Sequence, residues 1–282
     1  MSTRIYKRSE SIVFCKTKEA FGGLSNMAAG FPIHINDVTA KSSEALYQAL
    51  KFPGYPEIQK EIFDASNAYE AKQVSRKYQQ NVRPDWCSIR FQVMEWCLKV
   101  KLATNWESFS KILKDTGEKP IVELSMKDPI WGAIPSGAEL IGTNALGRLL
   151  MSVREQYILC RCPKMVILPP SIVDFKLFGE PVGPIHLDKN ACTSIRLSAV
   201  MQAMNELQPQ VNRELIELDL SKGTGLVRYP DYGIVKKISL NDDHAIIKSP
   251  NGNPEYIFNF KSLSIDSCQR IQTGMKPEVH RF

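Results

Sequence analysis

At 282 residues, with 43% hydrophobic and 23% charged side chains, the chain has the apolar content of a folded protein and room for two modest domains, which excludes a disordered or low-complexity class. Its net charge of +6 is spread over both halves without a basic tract, so contact with phosphates is allowed and nucleic acid is not demanded. Seven irregularly spaced cysteines exclude a disulfide framework, and no apolar run near the start is long enough for a signal peptide or a membrane span, so a cytoplasmic protein away from membranes is expected.

In chain order, Ser11 to Lys16 reads as a strand, and Phe31 to Val38 as strand-like residues ending at the turn pair Asn36-Asp37. Ser42-Ser43-Glu44 opens a helix that runs to Phe52 and stops at Pro53-Gly54, with another short helix over Glu57 to Asp64. Asn67 with Glu70 makes a capping box for a helix to about Gln79, and Pro84-Asp85 starts the next. In that helix Ile89, Val93, Cys97 and Val100, with Trp86 and Met94 beside them, form a core stripe. Pro120 to Ser125 is a buried strand, Asp128 to Gly142 a Gly/Pro-rich loop, and Asn144 caps a helix through Tyr157.

The first domain is placed at 1–158. Residues 159–282 then hold a Pro-rich connector, a helix over Asn190 to Leu207 and, from Glu214, short alternating runs divided by Lys222-Gly223, Asp242-Asp243 and Asn251-Gly252 that predict a small antiparallel sheet.

Glu44, Gln48 and Lys51 fall within about 60° on one helical face, with Tyr47 at its margin and apolar residues around the rest. That strip either lines a pocket or faces water, and spacing favours the blander reading. Gly22-Gly23-Leu24-Ser25-Asn26 offers flexible backbone and a side-chain amide, and Gly142-Thr143-Asn144-Ala145-Leu146-Gly147 places backbone N–H groups at a helix start; each is also an ordinary turn or cap. Trp131 stacks on a base or anchors its loop. Four isolated histidines give no metal-ligand spacing. Walker, dinucleotide-binding, nucleophile-elbow and zincin motifs are missing, so neither metal nor cofactor is expected. Cys160 and Cys162, the one close pair, read as core or surface thiols.

In order along the chain stand Gly23-Leu24-Ser25-Asn26, then Ser43-Glu44-x-x-Tyr47-Gln48-x-x-Lys51-Phe52, Val122-Glu123, Trp131-Gly132, and Asn144-x-Leu146-Gly147-x-Leu149-Leu150-Met151-x-x-Arg154. Over about residues 11 to 158 this set resembles the NADAR family, also called YbiA-like. The resemblance implies a mainly helical α+β domain that hydrolyses N-glycosidic bonds of ribosides, with the smaller second domain lying outside the match.

By the same resemblance Lys51 forms a Schiff base with the opened ribose and Glu44 is its acid/base partner. Asn26 and Asn144 hold ribose or phosphate, Tyr47 and Trp131 pack on the substrate, and Glu123 orients a hydroxyl or water. Gly23, Ser25, Gln48, Gly132, Leu146 and Gly147 complete the expected binding set. Met27, and Ala45-Leu46-Tyr47 where the family often has His-Tyr-Phe, depart from the pattern and bear on which base is accepted. The expected reaction is removal of ADP-ribose from guanine bases in DNA, as an antitoxin to an ADP-ribosyltransferase partner. The alternatives are hydrolysis of a phosphoribosyl-aminopyrimidine of riboflavin synthesis, a small riboside, or non-catalytic sensing of NAD or ADP-ribose.

Overall fold

The structure is a computed structural model that describes the chain except for residue 36 and residues 160–165, 208, 220–221, 233, 242–243, 261–263, 268–279 and 282. Cys160, Cys162, Asn36 and the Asp242-Asp243 turn pair therefore lie outside the described residues. The chain divides into two compact units, one of Met1–Ile158 with Met165–Leu187 and one that includes Asp188–Phe282. No helix among the described residues is long and apolar enough to cross a membrane.

The first unit begins with β1 (Arg4–Lys7), β2 (Ile12–Phe14), β3 (Ile33–Ile35) and β4 (Val38–Ala40). The region expected as one strand is thus the hairpin β3-β4, folded back at Asp37, whose φ of 59° is a left-handed turn conformation that Asp tolerates. Then come α1 (Ser43–Ala49), α2 (Pro56–Asp64), α3 (Ala68–Lys77), α4 (Trp86–Thr104) and α5 (Trp106–Asp115). Three strands follow, β5 (Ile121–Glu123), β6 (Ile134–Ser136) and β7 (Glu139–Gly142), and then α6 (Ala145–Arg154). β5 lies parallel to β2, and β1, β7 and β6 make a small antiparallel sheet. The stretch expected as a long loop therefore contains the hairpin β6-β7, turned at Gly137 with φ 59°.

Local chemistry explains the helices around the site. Ser42 caps α1 by accepting from the Ala45 N–H at 3.2 Å. Asn67 caps α3 through the Glu70 N–H at 3.0 Å, while the Glu70 carboxylate accepts the Ser66 N–H at 2.7 Å, one residue before the expected capping-box partner. α1 is the hub, packed against α2, α3 and α4. Every residue of α1 is buried, with Leu46 and Ala49 fully so, and Leu50 and Phe52 follow into the core beside Phe14, Ile33, Ile62, Met94 and Leu98. Each such aliphatic burial contributes about 1.5–3 kcal/mol.

The boundary expected at residue 158 moves. Met165–Leu187, carrying β8 (Val166–Ile167), β9 (Lys176–Leu177), β10 (Glu180–Pro181) and β11 (Ile185–His186), belongs to the first unit. The reason is polar as well as apolar. Gln59, fully buried on α2, donates to the Ala49 carbonyl at 3.2 Å and the Lys176 carbonyl at 3.1 Å, and accepts the Phe178 N–H at 2.6 Å. Arg83, ion-paired to Asp85, also donates to the carbonyls of Val173 and Asp174. Phe175 meets Trp96 edge-on at 5.0 Å.

The second unit consists of α7 (Lys189–Leu207) and a meander of β12 (Glu214–Asp219), β13 (Thr224–Tyr229), β14 (Ile234–Leu240), β15 (His244–Lys248), β16 (Pro254–Asn259), β17 (Ser264–Ser267) and β18 (His280–Arg281), each paired antiparallel with the next. Alternation puts Val227, Tyr229, Ile238, Ala245, Ile247 and Phe258 on one face, packed with Leu197, Val200, Ala203 and Met204 of α7. The helix and sheet expected here are thus both present.

Candidate active site

A cavity of about 470 Å³ opens over α1, and Glu44, Tyr47 and Gln48 line it. The strip that spacing left facing water is enclosed, with Glu44 2% and Gln48 3% exposed. A buried carboxylate needs donors. Glu44 has them on both oxygens: the Asn26 side-chain amide donates to Oε2, and Gln48 Nε2 donates to Oε1 at 2.8 Å. Lys72 Nζ adds a cation at 3.9 Å from Oε1. The backbone agrees with this arrangement, because the Glu44 N–H donates to the Asn26 carbonyl at 2.9 Å.

Lys51 lines the same cavity but lies beyond α1, whose regular turns end at Ala49. The chain tightens there, with the Lys51 N–H donating to the Gln48 carbonyl and that of Phe52 to the Ala49 carbonyl. The amine sits 5.5 Å from the Trp86 ring centroid, 5.8 Å from that of Tyr47, and 3.5 Å from Ser75 Oγ. Burial first, and then Lys72 and Arg76, bring its pKa down to about 8 against the opposing pull of Glu44. The amine therefore gives up its proton more readily than an ordinary lysine.

The facing wall comes from β5 and the loop after it. Glu123, half-buried at the end of β5, has its pKa raised to about 7, mainly by burial and further by the carboxylates of Asp128 and Glu44. Asp128 fixes the loop by accepting from the N–H groups of Ile130 and Trp131 at 2.9 and 3.0 Å. Trp131 stands edge-on to Tyr47 at 5.8 Å, and Tyr47 is tilted against Trp86 at 4.9 Å, giving an aromatic wall. Burial and Glu44 push the Tyr47 phenol above its ordinary range, so it stays neutral.

Of the residues named from sequence, Asn26, Glu44, Tyr47, Gln48, Lys51, Glu123, Trp131 and Leu146 line the cavity. The others do not. Asn144 is fully buried with both side-chain atoms occupied, Oδ1 accepting the Glu123 N–H at 3.0 Å and Nδ2 donating to the Ile121 carbonyl at 2.8 Å. It ties α6 to β5. It is not a side-chain cap for α6. Gly147 is glycine because an added Cβ would lie 2.1 Å from the Ile121 carbonyl, and at Gly132 one would lie 2.6 Å from the Glu123 carbonyl. A Cβ on Gly23 would meet Ile112 at 2.6 Å, and Ser25 Oγ is used to accept the Met27 N–H. These four positions shape the walls.

Sequence reasoning missed Lys72 and Arg76 on α3 and Arg90 on α4, which also line the cavity. Trp86 and Met94, read as part of the core stripe, also reach the cavity, Met94 while remaining buried in the core. The available signal was a pair of like charges at i and i+4, Lys72 and Arg76, which repel unless something anionic sits between them.

The NADAR domain model matches residues 13–157. A riboflavin biosynthesis protein of Vibrio vulnificus is 30% identical over 269 aligned residues, covering 84% of this chain and 71% of its own. An N-glycosidase of Nostoc punctiforme is 35% identical over 148 residues, covering 52% of this chain and 92% of its own. The N-glycosidase YbiA of Escherichia coli is 34% identical over 145 residues, covering 51% and 87%. With the family model spanning half the chain, a buried carboxylate and a lysine of lowered pKa in one aromatic-walled cavity, this chain belongs to the NADAR family and is an enzyme that hydrolyses N-glycosyl bonds.

Proposed function

We propose that the cavity takes a phosphorylated riboside and hydrolyses its ribose C1–N bond, the substrate being a phosphoribosyl-aminopyrimidine of riboflavin synthesis. The observation that carries this choice is the likeness to the Vibrio vulnificus riboflavin biosynthesis protein over 84% of the chain. Met1–Leu187 is only about two thirds of the sequence, so that coverage reaches into the second unit.

The lining residues suit such a substrate. Lys72, Arg76 and Arg90 supply cations for a phosphate, and Tyr47, Trp86 and Trp131 supply flat apolar surface for a base. Breaking C1–N builds positive charge on the sugar, which the Glu44 carboxylate, held by two amide donors, stabilises. The Lys51 amine lone pair bonds to C1 while the base leaves with the C–N electron pair and a proton from Glu123. The attached nitrogen gives a proton to the Glu123 carboxylate, which passes it to the ring oxygen as that oxygen leaves C1 and the protonated imine forms; water then hydrolyses the imine to free the lysine and the sugar.

A second reading, removal of ADP-ribose from guanine in DNA, is favoured by the separation of the cations into Lys72 with Arg76 on α3 and Arg90 on α4, which suits two phosphates. Release of ribose 5-phosphate from the aminopyrimidine riboside, lost in Glu44→Gln, is the expected result. Release of ADP-ribose from guanine-modified DNA alone shifts the assignment to the second reading. Turnover of neither, with tight binding of NAD or ADP-ribose, sinks both and leaves a sensor.

A further inference from the structure

One lysine in the first unit lies where no charge is ordinarily kept. Lys101, on α4, is fully buried, and that burial is the cause of the pKa shift at its amine. Its amine donates to the carbonyls of Gly23 at 2.6 Å and Ser25 at 3.0 Å. The rings of Phe31 and Phe109 enclose it, with centroids 4.4 and 4.2 Å away. Burial brings its pKa down to about 7, and a neutral amine has two N–H bonds for the two carbonyls it meets.

Those carbonyls belong to the loop that delivers Asn26. Ser25 directly precedes it, and the Asn26 amide and carbonyl respectively donate to the Glu44 carboxylate and accept from the Glu44 N–H. We propose that Lys101 is a positioning residue for the hydrolysis, clamping the Gly23 and Ser25 carbonyls so that Asn26 holds the Glu44 carboxylate in place at the cavity. This rests on the role given above to Glu44. Lys101 itself is absent from the cavity lining and acts only through the loop.

The test is a double-mutant cycle in the full chain between Lys101→Met and Asn26→Ala, read as kcat and KM at equal folded fraction by circular dichroism. Lys101→Met fills the volume and leaves both carbonyls without their donor. It should lower kcat by about ten- to a hundredfold with KM changed less than about threefold. The double variant should be no slower than the slower single. Lys101→Gln, which keeps N–H donors, should recover part of the loss.

Arg154→Met removes another buried cation, one bonded to Thr116 and the Lys119 carbonyl, neither of which lines the cavity. It should lower Tm and leave kcat unchanged. Additive losses in the cycle, a normal kcat in Lys101→Met, or an equal kcat loss in Arg154→Met would overturn the proposal. If the wild type cleaves neither substrate, the functional reading fails on its own, and the clamp is read from the Asn26 side-chain amide resonance. Lys101→Met should move that resonance, and an unchanged resonance overturns the clamp.

Discussion

Two groups in the cavity are held near neutrality by opposite consequences of the same burial. Desolvation lowers Lys51 to about 8 and raises Glu123 to about 7, and in the proposed reaction the amine serves as nucleophile and the carboxyl as acid. The reactive form needs Lys51 deprotonated, which grows as pH rises through 8, and Glu123 protonated, which fades as pH rises through 7. The product of the two is a bell in kcat/KM with its maximum between the two pKa values. Glu123→Gln should flatten the alkaline limb, and a profile still falling above pH 8 in that variant would remove Glu123 from the proton transfer. Borohydride reduction during turnover should attach the sugar to Lys51, with no adduct in Lys51→Ala. Arginine is no substitute, since its guanidinium stays charged at any working pH.

At the scale of elements, the site depends on how β5 and α6 are joined. Asn144 stands at φ 50° between β7 and α6 and bonds the backbone on either side of Val122, which sets where Glu123 emerges. Replacing it by Ala leaves the Ile121 carbonyl and Glu123 N–H without their partner and puts an unfavourable residue in a left-handed conformation. Urea unfolding should show a loss of about 2–4 kcal/mol. A loss below about 0.5 kcal/mol would mean the join is held by something else. The sequence pattern presented this residue as a helix cap, because Asn before an apolar helix is the ordinary cap signal, and the family resemblance added a ligand role. Its real partners are more than twenty positions upstream, a distance that no local pattern spans.

For the whole molecule, Met165–Leu187 packs as part of the unit that carries the site. Gln59 and Arg83 both spend side-chain donors on that segment. A fragment of residues 1–187 should keep kcat/KM within about threefold of the full chain, whereas residues 1–158 should unfold at markedly lower temperature and lose activity. An active, equally stable 1–158 fragment would contradict the boundary drawn here. The surplus positive charge is shared by the units: the first carries 22 Lys and Arg against 19 Asp and Glu, and the second, with Arg161 and Lys164, carries 14 against 11.

The sequence by itself determined the helices with clear caps and stops, the alternating strands of the second unit, and the Glu44, Gln48 and Lys51 face. Each of these is written within a dozen residues, so spacing and turn chemistry expose it. Only the tertiary structure decided that this face is enclosed, that Lys72, Arg76, Trp86 and Arg90 join it, and that Asn144, Gly132 and Gly147 build walls. An i, i+4 charge pair on a surface helix looks the same in sequence whether it faces water or a ligand. The difference lies in which element is packed opposite, and here α3 and α4 are brought against α1 by contacts among residues far apart in the chain.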